Sequence, residues 1–153
     1  MSARVRTVER VGLVYLAASA LLVGVWAGFA PRSFYDDFPG LGRVWVAVDG
    51  PYNEHLVRDV GWLNLALAVA TVWAAVTLAR ALVVAVLVAW LVTSLPHLLY
   101  HVANLDGLAT TDRIGELASL ALAPLVAGAL LVVALSDARR SAADRGSPSS
   151  GER

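Results

Sequence analysis

The chain has 153 residues, 58% of them hydrophobic and 16% charged, with a mean hydropathy of +0.67. It is far more apolar than the roughly 45–50% apolar, 25% charged average of soluble domains, which places it in lipid. A formal net charge of zero gives no global field for nucleic acid or acidic ligands, and the absence of cysteine removes disulfides, thiolate metal ligands and thiol nucleophiles.

Arg4, Arg6 and Arg10 precede an apolar run from Val11 to Ala30, and about 20 residues at 1.5 Å each cross a hydrocarbon core of roughly 30 Å. A cleaved signal peptide competes with this reading, because Gly28 and Ala30 suit a cleavage site. The apolar run exceeds the usual 7–15 or so residues, however, and Pro31 would follow the cut, so a retained first span is expected. Gly24 and Gly28 make a small-xxx-small face for close approach of another helix, with packing inside the chain favoured over dimerisation.

From Pro31 to about Asn53 the sequence turns polar and aromatic. Pro31, Pro39–Gly40, Gly42 and Asp49–Gly50–Pro51 divide it into short pieces, with Arg43–Val48 between them as a short strand or interfacial segment. Phe34, Tyr35, Phe38, Trp45 and Tyr52 favour a membrane–water interface, so this loop is expected to be structured and to lie on the bilayer.

Residues 60–78 form a second span and 81–99 a third, leaving room only for a tight turn at Arg80 and making the two antiparallel neighbours. Pro96 falls in the last turns of the third, where a kink or local unwinding is expected. A polar loop over 101–116 follows, with Thr111 or Asp112 as cap of a fourth span over about 115–135 and Glu116 in an early turn. Residues 136–153, rich in Ser, Gly, Asp and Arg, read as a disordered tail.

Arginine sets the orientation. Arg4, Arg6, Arg10, Arg80, Arg139, Arg140, Arg145 and Arg153 group on one side against Arg32, Arg43, Arg58 and Arg113 on the other, a two-to-one excess that puts residues 1–10 and the C-terminal tail in the cytoplasm. The loops at 31–53 and 101–113 then face outward from the cell membrane.

Two polar stretches stand out against this background. In Pro51–Asn64, Glu54 and Arg58 are one helical turn apart, as are His55 and Asp59, with Asn64 continuing the polar side. In Pro96–Gly107, His97 and His101 are one turn apart. The topology brings all three histidines to one boundary, so His55, His97, His101 and Asp59 make a candidate site for zinc, copper, iron or another transition metal between helices two and three. The spacing is not that of a zinc protease, because Leu98 follows His97. Haem, with His55 and either His97 or His101 as axial ligands, is a further option without an attachment signature.

The favoured reading of Glu54, Arg58, Asp59 and Asn64 is structural: a polar cluster at the bilayer edge that fixes helix packing. No ionisable residue lies in the middle of any span, which argues against a pump or coupled transporter. No phosphate loop or G-x-S-x-G elbow occurs, and enzyme activity, which these absences disfavour without deciding, would be a further step beyond binding.

Asn53, Arg58, Asp59 and Gly61 form an N-x-x-x-x-R-D-x-G entry to the second helix. Within a pattern of four short spans and a long aromatic first loop, covering about Val11–Leu135, they make the chain resemble the small four-helix membrane proteins of the DoxX-like group. The resemblance implies an architecture and leaves the activity open. The expected fold is therefore an all-α, four-helix transmembrane bundle with a structured extracytoplasmic first loop. The expected role is a scaffold or accessory subunit with lipid and a membrane protein partner or a second copy as its contacts; the alternative is a metal- or small-ligand-binding membrane protein.

Overall fold

A computed structural model describes residues 3–146 of the chain, with side chains for residues 3–137. In chain order the elements are α1 (Ala3–Phe29), α2 (Pro31–Asp37), β1 (Pro39–Gly40), β2 (Arg43–Val44), α3 (Glu54–Thr77), α4 (Arg80–Ala103) and α5 (Thr110–Gly146). The all-α expectation holds: α1, α3, α4 and the Thr110–Asp137 part of α5 are long and apolar enough to cross a membrane.

Each long helix extends beyond its apolar run at one end or both. α3 begins at Glu54, where the Asn53 side chain accepts from the Leu56 amide at 3.3 Å and satisfies one of the orphan donors of the first turn. It ends at Leu78 in the left-handed region, and Ala79 leads directly into α4. The tight turn is as expected. Pro96 is held inside α4, which continues to Ala103. α5 also continues past Leu135 to Gly146, so the stretch read as a disordered tail begins as helix; alanine and arginine there are good helix formers. Residues 147–153 lie outside the described ones.

α1 is the most buried of the four long helices. Its Leu13, Leu16, Ala20 and Gly24 face inward, and it packs most extensively on α3 and secondarily on α5. α4 lies chiefly against α5, and its contact with α3, the neighbour the turn dictates, is much smaller. One buried polar link joins those two: Trp90 Nε1 donates to Thr71 Oγ1 at 3.0 Å, while that hydroxyl donates to the Leu67 carbonyl at 2.6 Å. Gly24 and Gly28 are used within the chain, facing Leu65 and Trp62 of α3.

The first loop is folded. Pro31 occupies the first turn of α2, a position where its missing N–H costs nothing. Phe34, Phe38, Trp26 and Trp45 meet edge-on or tilted at centroid distances from 4.8 to 6.2 Å. β1 and β2 pair antiparallel, Pro39 opposite Val44 and Gly40 opposite Arg43. The short strand expected within 43–48 is thus confined to Arg43–Val44. The Tyr35 hydroxyl donates to the Gly50 carbonyl, and Arg32 lies 5.0 Å from the Tyr52 ring centroid.

Candidate functional site

The polar residues gather at the two ends of the long helices. The end bearing the 31–53 loop has three groups of contacts; the end bearing the α3–α4 turn has one.

At the loop end, the entry to α3 is built against the exit of α1. Arg58 Nε donates to Glu54 Oε1 at 2.8 Å, and its Nη1 donates to the Gly28 carbonyl at 2.6 Å. That carbonyl is in the last turn of α1, where no intrahelical donor remains, so the guanidinium caps a neighbouring helix. Gly61, one turn further along α3, meets the Gly28 backbone directly. Asn53, Arg58 and Gly61 therefore serve one junction. Arg58→Ala is expected to lower the stability of the purified protein by about 1–2 kcal/mol, the range for a charge-assisted hydrogen bond at a partly exposed site. Thermal unfolding in detergent measures it, and an unchanged midpoint would remove Arg58 from the junction.

Asp59 has a looser role. It pairs with His55 at 3.5 Å, and the His55 side chain is 82% exposed. Asn64 Nδ2 donates to the Val60 carbonyl of its own helix at 2.8 Å. Of the expected polar cluster, only Arg58 thus reaches another helix, with Glu54 steadying its guanidinium from within α3, while Asp59 and Asn64 bond within α3. Nearby, the Tyr52 phenol has its pKa raised first by desolvation and then by the Glu54 carboxylate, against Arg58 and Arg32.

A second group fastens the loop to α5. Asp112 accepts from Arg43 and, at 3.0 Å, from Trp45 Nε1. Trp45 is buried, and its ring lies where a side chain on Gly115 would begin.

The third group is the most enclosed. His101, 7% exposed, places Nδ1 3.1 Å from Oε1 of Glu116, which is 3% exposed. The approach is off the line of a hydrogen bond, and Glu116 Oε2 is buried with no hydrogen-bond partner among the described residues. On its other side His101 Nε2 lies 3.9 Å from Asp49 Oδ2 of the loop. The His97 ring stands 4.8 Å from that of His101. The expected metal set therefore divides: His97 and His101 come together on α4, His55 and Asp59 pair on α3, and the residues that join His101 are Glu116 and Asp49. Among the described residues no group of three or more His, Asp or Glu side chains is arranged to hold a metal ion.

At the opposite end Glu9 is 1% exposed and accepts from Arg80 Nη1 at 2.7 Å; Arg80 Nη2 donates to Asp137 Oδ2 at 2.9 Å. One guanidinium thus joins α1, α4 and α5. Arg10 Nε donates to the Ala75 carbonyl at 3.1 Å, near the end of α3. The sequence reading took Arg80 as the mark of a turn and assigned no role to Glu9 or Asp137.

Comparison with known protein families, with curated proteins and with solved structures finds no match to this chain.

Proposed function

We propose that the chain is an integral protein of the cell membrane that crosses it four times, through α1, α3, α4 and α5, with both termini in the cytoplasm. In this arrangement it works as a scaffold or accessory subunit. One observation carries the role: its principal charged side chains tie helices together, Arg58 holding the last turn of α1 and Arg80 joining α1, α4 and α5. The sides of the helices offer large exposed apolar residues, among them Val69, Trp73, Val92 and Leu125, to lipid and to a neighbouring membrane protein.

A second reading has a specific observation in its favour. The buried Glu116 carboxylate beside His101, with Oε2 lacking a partner, suits a small polar ligand bound between α4 and α5 with Asp49 and His97 alongside; a transition metal such as zinc would need these side chains to turn in towards one point, since no three of them are arranged around one. That site would differ from the one expected between helices two and three.

Metal analysis of the detergent-purified protein, with a His101→Ala/Glu116→Gln double variant as control, separates the two. The scaffold reading expects the same metal content in both and a lower melting temperature in the variant. Stoichiometric metal in the wild type and none in the variant supports the second reading. A reporter enzyme active only outside the cytoplasm tests the membrane arrangement: it is expected to be silent at the C-terminus and active when inserted after Asn104. Activity at the C-terminus would overturn the orientation.

A further inference from the structure

We propose that a furrow between α1 and α3 is a binding site for one anionic phospholipid, its acyl chain lying from Val14 to Leu21 and its phosphate held at Arg10. The proposal rests on the membrane reading given above, which places Arg10 in the cytoplasmic leaflet.

The furrow encloses about 520 Å³. Its floor is Ala17 and Ala75, both buried, and its walls are the exposed valines and leucine at Val14, Leu21, Val72 and Val76. Small residues between larger ones leave a channel on the helix surface that an alkyl chain fills. The lining is apolar except at one end, where Arg10 closes it. From Arg10 to Leu21 the helix rises about 16 Å at 1.5 Å per residue, about half of a hydrocarbon core of roughly 30 Å, so the furrow spans one leaflet.

Arg10 is held in place for the task. Its Nε bond to the Ala75 carbonyl fixes the guanidinium to the end of α3, and among the described residues no acceptor takes its two terminal amino groups. A planar fork of donors suits a phosphate. Arg6 stands one turn earlier on the same face of α1 and adds a second positive charge at the interface, attracting anionic lipid. A second apolar furrow of about 680 Å³ shares Ala18 and Leu21 and continues towards Trp26 and Phe29, with no charged residue in its lining. It lacks the anchor that selects a headgroup, so charge complementarity assigns the anionic lipid to the Arg10 end.

The test uses the full chain in mixed micelles containing equal amounts of dioleoyl phosphatidylglycerol and dioleoyl phosphatidylcholine, with bound lipid read by native mass spectrometry. The expected wild-type species carries one phosphatidylglycerol in preference to phosphatidylcholine. Arg10→Gln is expected to lower that preference about tenfold, since it removes the charge-assisted hydrogen bonds to the phosphate. Ala18→Leu fills the furrow at an exposed position where the fold tolerates a larger side chain, and is expected to reduce retention of either lipid; Val132→Ala, on the exposed side of α5, leaves it unchanged. Equal retention of both lipids by the wild type, or undiminished retention by Ala18→Leu, overturns the proposal. So does a dimer mass that Ala18→Leu abolishes, because a second copy then occupies the furrow. Release of the chain from membranes by alkaline carbonate would instead defeat the membrane reading, an outcome the lipid measurement does not produce.

Discussion

Gly61→Ala is expected to be among the most damaging single-methyl changes in the protein. A Cβ built on Gly61 falls 2.5 Å from Gly28 Cα and 2.9 Å from the Ala27 carbonyl carbon, and closer still to the Gly28 nitrogen. All three are backbone atoms of α1, so no side chain can rotate away and the two helices must separate. Overpacking of a core that does have side chains to move costs about 1–3 kcal/mol, and about 3 kcal/mol or more is expected here. Gly28→Ala, on the other side of the same contact, is expected to cost much less. Its Cβ meets only the rim of the Trp62 ring, at 3.3 Å, and that ring can shift. Gly128→Ala has open space around it and should be neutral or stabilising by up to about 1 kcal/mol, as for any helical glycine. Thermal unfolding of the three variants in one detergent gives the order directly. A Gly61→Ala midpoint equal to that of Gly128→Ala would show that α1 and α3 do not meet backbone to backbone.

Arg80→Ala strands the Glu9 carboxylate. Removing one member of a buried ion pair costs about 3–5 kcal/mol, because the remaining charge has neither water nor partner. Arg80 is partly exposed, 31% by its side chain, so the lower part of that range is expected. The double variant Glu9→Gln/Arg80→Met should be distinctly more stable than Arg80→Ala, since it takes the charge away along with its partner. If the single and double variants melt together, Glu9 owes nothing to Arg80. Asp137→Asn should fall between wild type and Arg80→Ala, as Asp137 is less enclosed than Glu9.

The four long helices were legible because runs of Val, Leu and Ala as long as Val11–Ala30 have no other solution than a buried or lipid-facing helix. The junction was legible in part: Asn53, Arg58 and Gly61 stood out as a group, although their common task at the end of α1 depends on which helix α3 meets. His97 and His101 were also placed correctly on one face, because a single helical turn fixes that. What the local pattern could not supply was partners across the fold. Proximity in the chain suggested His55 for His97 and His101, since a two-residue link joins α3 to α4, but α4 lies mainly on α5 and its histidine meets Glu116 instead. Glu9 was hidden by its arginine neighbours. A usable signal did exist, for Glu9 continues the stripe of Leu13, Leu16, Ala20 and Gly24 by one more turn, and a carboxylate on an inward stripe requires a cation opposite. The short helix α2 was missed because seven residues beginning with proline carry no measurable periodicity.

The tie at Arg80 also bears on how the chain is made. Glu9, Arg80 and Asp137 are synthesised in that order on three different helices, so the three cannot meet until α5 has followed α4 out of the ribosome. On the proposed membrane arrangement, α1 enters the bilayer before α3, α4 and α5, with Gly24 and Gly28 uncovered and its carboxylate unmatched. The arrival of α3 covers Gly24 and Gly28, and α4 delivers the arginine. Translation halted before Arg80 leaves α1 packed on α3 with Glu9 unmatched, and the tie at that end of the four helices closes only when Asp137 of α5 reaches Arg80.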